Sequence, residues 1–438
     1  MKRAASFNRT KRKERKRNIG AKALRRAAAA MLCAAAILSL GGCSLPGGGS
    51  FSSGSQGAEG EEVSGADENS AEKESADVIL EDSSSAENKK QPPFDPKTDS
   101  YISEGTVPSD AGTDGTRKNT NTSLSVPTIL KKIGEDWFLV DCYHSQILYL
   151  SGDEETMESS ELTDWNVLPA EGMKQPHTIA GDGTVLLADD TENNRVLVYS
   201  KDENGIWQCS QVFTDIGTRP HFSVYDSTAD TFYVWSSENG ELYCFRRAEG
   251  DTKVYLTEVR SCERLKNTYV RSFTVMGSSI LFVAGTSGSG DTPAVILCNL
   301  GDLAVRAEYP VASQYAGMVQ IMPVLESSDE TAYANGSDTQ EDFPWGSSEG
   351  YFATISTDAE GSQDYATILR ISSLEALTDP AGQSVQDIYS TCFVGGGTPY
   401  YMSRIDGAYF LTEHRLPGHS LWKFMVEDGA VTDEKSIF

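Results

Sequence analysis

No stretch of the sequence is apolar for the roughly 20 residues that a membrane-spanning helix needs. The longest apolar run, 27–40, has 14 residues. The 438-residue chain also lacks a nucleophile elbow set between a strand and a helix, a glycine-rich nucleotide loop, an HExxH run and an EF-hand calcium loop, so it gives no sign of the enzyme classes that such motifs mark. Its eight cysteines show no CxxC or metal-type spacing. Histidine is scarce, with five in the whole chain. Cations are in deficit: 37 Lys and Arg face 64 Asp and Glu, a formal charge of −27. Such a field repels nucleic acid and anionic headgroups and attracts cations and basic partners, so no nucleic-acid partner is expected.

What is present changes sharply along the chain. Residues 1–26 carry a dense basic cluster, including Lys11-Arg12-Lys13 and Arg15-Lys16-Arg17. The apolar run and then Gly41-Gly42-Cys43 follow, which is the order of a secretory signal. Leu40-Gly41-Gly42-Cys43 resembles the lipobox of bacterial lipoproteins. The resemblance implies that 1–42 is a signal peptide, that Cys43 is acylated on sulfur and carries palmitate, and that the rest is a membrane-anchored lipoprotein facing outside the cytoplasm. An uncleaved N-terminal anchor is the alternative. Loss of the leader removes twelve Lys and Arg and one Glu, which takes the formal charge to −38.

From 43 to 125 the sequence is Ser, Gly, Glu, Asp and Ala, with almost no aromatic residues and one weak apolar patch at Val78-Ile79-Leu80. Such a segment buries too little to offset its chain entropy, and it reads as a disordered acidic tether. About 80 residues of this kind reach on the order of 50 Å.

Residues 126–438 read as an all-β domain. Helical periodicity is missing except at 373–377. The stretch 176–199, PHTIAGDGTVLLADDTENNRVLVY, joins two short apolar runs through a polar turn and places a third strand before them. The pattern recurs. Second strands are expected at 137–141, 186–190, 232–236, 280–284, 351–355 and 409–413, and third strands at 146–150, 195–199, 241–245, 295–299, 367–371 and 421–425. With an inner and an outer strand added to each, six four-stranded antiparallel units fill the region, which predicts a closed six-bladed β-propeller. Closure requires the first and last blades to pack face to face. An acidic insertion at 325–350, with Phe343-Pro344-Trp345 near its end, reads as a surface loop.

Within this pattern Pro176, Asp182-Gly183, Asp190-Thr191 and Asn193-Asn194-Arg195-Val196 resemble the NHL repeat of six-bladed propellers. Blades 1 and 3 keep its spacing at 141–147 and 236–242, and the last three drift from it. The resemblance implies the fold; members of such families serve as binding or assembly modules and in some cases as lyases or lactonases.

In a four-stranded blade the loops from outer to next inner strand share a rim with the turns from second to third strand. His177 and His221 begin inner strands, and His144, His414 and His419 fall in second-to-third turns, so all five histidines are expected on one face. At the start of the inner strands Thr128, His177, His221, Arg271 and Tyr400 should approach the channel mouth. The ligand-binding candidates are therefore His144, His177, His221, Arg271, Tyr400 and His414, for an anion, a peptide carboxylate or another small-molecule or protein ligand on the rim. A divalent metal held by the His pair is the alternative cofactor, although no compact third ligand is apparent. No catalytic residue is committed. If the protein is a lyase or hydrolase, Tyr400 or His221 is the candidate base, with His177 beside it and Arg271 as carboxylate clamp. A non-enzymatic binding or scaffold role is the primary reading. Cys142, Cys209, Cys244, Cys262, Cys298 and Cys392 are expected to be mostly free, buried thiols.

Overall fold

The computed structural model describes residues 91–108, 117–285, 292–327, 350–356, 366–378 and 384–438. Residues 1–90, on which the expected signal peptide, the expected lipid site Cys43 and most of the expected tether fall, and most of the 325–350 insertion, including Phe343-Pro344-Trp345, lie outside the described residues. Six antiparallel sheets follow one another along the chain as the blades of a propeller. Their inner strands are Pro127–Ile133, Ile179–Gly181, Pro220–Asp226, Val270–Met276, Met318–Pro323 and Thr398–Ile405. Every second and third strand begins within one residue of its expected position, from Asp136–Asp141 and Gln146–Ser151 in blade 1 to Ala408–His414 and Leu421–Glu427 in blade 6.

These strands read as nearly unbroken apolar runs because both faces of each sheet are covered. In Val185–Asp190 all six residues are buried. Val185 and Leu187 pack with Phe232 and Val234 of blade 3, whereas Leu186 and Ala188 pack with Phe138 and Val140 of blade 1. Each such side chain contributes roughly 1.5–3 kcal/mol when fully buried. Toward the channel, side chains stitch neighbouring inner strands together. The Thr128 hydroxyl donates to the His177 carbonyl at 2.6 Å, Ser272 to Val319 at 2.7 Å and Thr274 to Ile321 at 2.9 Å.

Blades 1 and 6 close the ring without exchanging a strand. Leu130, Trp137, Leu139 and Leu148 form one core with Ile405, Ala408, Phe410 and Leu421. Trp137 meets Phe410 edge to face at 5.8 Å. Outside this core the short helix Glu154–Ser159, capped by Asp153, presents Glu158 to Lys423 at 2.8 Å and to Lys435 at 2.5 Å. The turn expected to be helical at 373–377 is a 3₁₀ turn, Leu374–Thr378.

The boundary between tether and propeller needs correction. The chain joins the ring from residue 91, not 126, and runs along its outside against the order of the blades. Phe94 is buried against Ala248 and Tyr255 of blade 3. Ser103–Glu104 adds a fifth strand to that blade, Thr106 bridges to Val212 of blade 2, and Arg117–Lys118 adds a fifth strand to blade 1. This strap covers outer edges whose backbone groups would otherwise face solvent.

Candidate functional site

The channel mouth is built by a device repeated at the start of the inner strands. Their pairing with the second strand breaks register between Pro127 and Leu130, Pro220 and Phe222, Val270 and Ser272, Met318 and Gln320, and Pro399 and Met402. A bulge leaves the extra residue outside the ladder and re-aims its side chain. Thr128, His221, Arg271, Val319 and Tyr400 all fall in these breaks. In blade 2 the Asp189 carboxylate replaces the ladder, accepting the backbone N–H groups of His177 at 2.7 Å and Thr178 at 2.6 Å.

The turn leading into each strand is fixed in the same way. Val126, Gln175 and Arg219, each just before a proline, have φ of 56°, 50° and 57°. One residue earlier, the N–H of Ser125 donates to Asp141 at 2.7 Å, that of Lys174 to Asp190 at 2.7 Å and that of Thr218 to Ser236 at 2.8 Å. Blade 6 inserts a relay: Gly397 N–H donates to the Tyr389 hydroxyl at 2.9 Å, and that hydroxyl donates to the buried Glu413. A Cβ at position 397 would lie 1.8 Å from the Glu413 carboxylate, so glycine is needed there. The residues that carry the repeat resemblance thus have mechanical roles. Asp190 fixes the lead-in turn. The Thr191 hydroxyl lies 2.8 Å from the Pro220 carbonyl and 2.9 Å from His177 Nδ1. Asn194 takes the left-handed position of the turn, with φ 52°.

These devices bring five of the expected residues together. The His177 and His221 ring centroids lie 3.8 Å apart with their planes tilted by 37°, Tyr400 lies 6.5 Å from His177, and His414 lies 6.0 Å from Tyr400. On the other side Tyr269 packs on His221 at 5.6 Å, its hydroxyl 3.4 Å from Nε2, and carries the Arg271 guanidinium at 5.3 Å. Arg219, ion-paired with Glu192 at 2.9 Å, sits over the same Tyr269 ring at 5.9 Å. Burial, then Arg219 and Arg271, push the His177 pKa down to about 3. Burial, then His177, Arg271 and Arg219, hold His221 well below the usual imidazole range. Both rings are therefore neutral at ordinary pH. Burial raises Asp189 to about 6 against its hydrogen bonds from Thr178, His177 and Thr191. His221 Nδ1 is buried with no hydrogen-bond partner.

His144 does not join the cluster by any ring contact; its Nδ1 lies 2.6 Å from Asp141, in the turn of blade 1. His419 stacks on Trp422 at 5.1 Å. His414 also lines a cleft of about 810 Å³ between blades 6 and 1, with Leu124, Tyr143, Leu416 and Phe438. Sequence reasoning missed Arg219, Tyr269 and Asp189. Arg219 and Tyr269 stand one place before the inner strands of blades 3 and 4, so the same alignment read two residues earlier would have found them. Cys142, whose thiol lies 3.7 Å from His177 Nε2, is buried, and burial raises its pKa. All six cysteines among the described residues are free thiols, five of them buried.

The two imidazole planes are tilted by 37° to one another, and the Arg219 and Arg271 guanidiniums lie over the neighbouring Tyr269 ring. Among the described residues no group of three or more His, Cys, Asp or Glu is placed to hold a metal ion.

No family model matches the chain, and no curated protein matches it. Solved structures similar to it include a candidate 6-phosphogluconolactonase from Bacteroides uniformis, at 14% identity and TM-score 0.44, covering 76% of this chain and 95% of that one. A second candidate 6-phosphogluconolactonase, from Bacteroides fragilis, has 11% identity and TM-score 0.45, covering 73% of this chain and 86% of that one. A chain of the mitotic checkpoint complex has 9% identity and TM-score 0.42, covering 80% and 90%.

Proposed function

We propose that the protein is a lipid-anchored, extracytoplasmic binding module whose propeller takes a carboxylate-bearing small molecule or peptide on the rim that carries the His177–His221 pair. The observation that supports this reading is the mouth itself. Two neutral imidazoles in contact, the Tyr269 and Tyr400 side chains and the Arg271 guanidinium are drawn from blades 2, 3, 4 and 6. A buried guanidinium beside neutral donors suits a planar anion. Rigid strands set these groups in place, which lowers the ordering cost of binding. The anchor is the Cys43 thioether and the leash is the tether up to residue 90.

A melting-temperature screen of the full chain against carboxylates and peptide termini, repeated with His177→Ala, His221→Ala and Arg271→Ala, tests the site. Stabilisation that survives all three substitutions would overturn it. The anchor is tested separately by Cys43→Ala, which should move the protein from the membrane fraction to the medium or leave an unprocessed precursor.

A lyase or hydrolase is the second reading, favoured by one observation: the neutral, buried His221 with its unpartnered Nδ1. His221 or Tyr400 then acts as base and Arg271 holds a substrate carboxylate. Turnover of a screened ligand that is lost in His221→Ala, with binding and folding intact, would promote this reading over simple binding.

A further inference from the structure

We propose that Cys262 and Cys298 are a modification site, a thiol pair that a small disulfide oxidises to a crosslink between blades 3 and 4. Cys262 directly follows the outer strand of blade 3, Val254–Ser261, and Cys298 lies in the third strand of blade 4, Ala294–Asn299. Both side chains are buried in one core with Leu265, Leu300 and Leu303. The two thiols touch there, the Cys298 S–H donating to the Cys262 sulfur.

The backbone around this contact is tied across the two blades on either side. Arg260, just ahead of Cys262, donates through its guanidinium to the Leu300 carbonyl at 2.8 Å, just beyond Cys298. Arg264, on the other side of Cys262, makes a two-pronged pair with Glu308 at 2.8 and 3.0 Å. Glu308 stands in the outer strand of blade 4, opposite Ile296 in the strand that carries Cys298. The Cys262 N–H donates to the Gly240 carbonyl at 2.7 Å, which fixes its own place in blade 3. Clamped in this way, the sulfurs stay together through the small motions of the ring, and such proximity favours a bond within the chain over one between chains.

Cys262 also differs from the other buried cysteines. Burial pushes the Cys142, Cys209 and Cys244 thiols up. At Cys262 the hydrogen bond from Cys298 acts in the opposite sense and, with the N–H groups of Leu265 and Arg264 and the Arg264 charge, holds the thiol below its usual range against the cost of burial. Its neighbours Ser261, Glu263 and Arg264 are exposed, so a local opening of this turn presents the sulfur to a small reagent. Cys262 is therefore the attacking sulfur and Cys298 the resolving one. The Cys262 thiolate bonds to one sulfur of the small disulfide, whose S–S bond breaks and releases a first thiolate. Cys298 then attacks the Cys262 sulfur and displaces the second. The protein thiols give two electrons to the oxidant, and their two protons go to the two thiols released.

Non-reducing peptide mapping of the full chain tests the site, before and after the folded protein is treated with oxidised glutathione, with remaining thiols alkylated in denaturant. Trypsin cuts after Arg260, Arg264, Arg271 and Arg306, so the crosslink joins peptide 261–264 to peptide 272–306. This joined pair is expected after treatment and should separate on reduction. Cys298→Ser should leave glutathione held on Cys262, whereas Cys262→Ser should slow its capture at Cys298 by at least about tenfold. The oxidised parent protein should melt about 5 °C above its reduced form. Absence of the joined peptides after treatment, their formation only once the protein has been unfolded, or Cys262 joined to another cysteine would each overturn the proposal. An oxidised form that melts below the reduced one would do the same, since the folded ring would then hold the two sulfurs out of bonding position. Glutathione captured at Cys298 as fast in Cys262→Ser as in the parent would overturn the assignment of Cys262 as the attacking sulfur.

Discussion

Gln320 pairs with Met402 as a neighbouring strand would: its Nε2 donates to the Met402 carbonyl at 3.1 Å and its Oε1 accepts the Met402 N–H at 2.7 Å. Gln211 does the same for Val254, at 3.1 and 2.8 Å, between the outer strands of blades 2 and 3. Inner strands diverge too far for a backbone ladder, and an amide side chain spans the gap while meeting both backbone groups. Gln320→Ala should therefore cost about 2–4 kcal/mol, since two buried backbone groups lose their partners. Urea unfolding measures this, and a loss below 1 kcal/mol would show that water replaces the amide at little cost.

Glu413 should make stability fall as pH rises. It is fully buried and accepts from Trp422 Nε1 at 2.8 Å and from Tyr389, yet burial raises its pKa from 4.5 to about 7. The folded state then holds a proton that the unfolded state has released. The contribution is whole below about 4.5 and is lost as pH rises through about 7. Glu413→Gln should gain on the parent protein across that interval, by on the order of 2–3 kcal/mol. Unfolding midpoints of both proteins at about pH 5 and pH 8 read the change; a constant difference would mean that Glu413 titrates normally.

The paired imidazoles of His177 and His221 should act in the opposite sense. Their pKa values are depressed on folding, so their contribution is present above about 6.5 and is lost as pH falls, toward about 3 for His177. His221→Phe keeps a ring against His177 and removes one proton site. Its melting temperature relative to the parent should rise between about pH 7 and pH 4. A difference that does not move with pH would indicate that His221 is charged or solvated in the fold.

Phe94 should hold the strap locally. Its ring lies 5.5 Å from Tyr255 and 5.7 Å from the Arg246 guanidinium. Phe94→Ala should expose 91–108 to protease while the remainder survives as one block, because this small cluster of Phe94, Ala248 and Tyr255 is separate from the inter-blade cores. Fragmentation inside the ring at the same protease dose would show that the strap supports the blades themselves.

The blades were legible because strands buried on both faces write continuous apolar runs, and polar turns such as Asp190-Thr191-Glu192-Asn193-Asn194 punctuate them. The strap was not. Ser103–Glu104 and Arg117–Lys118 are two-residue pairings of polar residues, and a strand held by backbone bonds alone leaves no side-chain periodicity. Proline marked the starts of the inner strands and so led to His177, His221 and Tyr400. Asp189 stayed hidden because its role depends on blade 2 lacking the first part of its ladder. Val319 fills the corresponding place in blade 5 with an apolar side chain, so the mouth is not a full ring of polar groups.

The strap also determines how the molecule meets force. A load arriving from the N-terminal side meets the outer part of blade 3 first, at Arg246, which grips the Pro92 carbonyl at 2.6 Å, and then at Phe94, before it can reach any inner strand. Beyond them lie the short pairings at Ser103–Glu104, at Thr106 and at Arg117–Lys118, each one or two residues long and placed to give way in turn. Peeling from 91 to 125 pays out about 120 Å of chain before tension comes to bear on the first inner strand. The strap is a tear-away seam: it yields at the outer edges of blades 3, 2 and 1 before the inner strands are pulled.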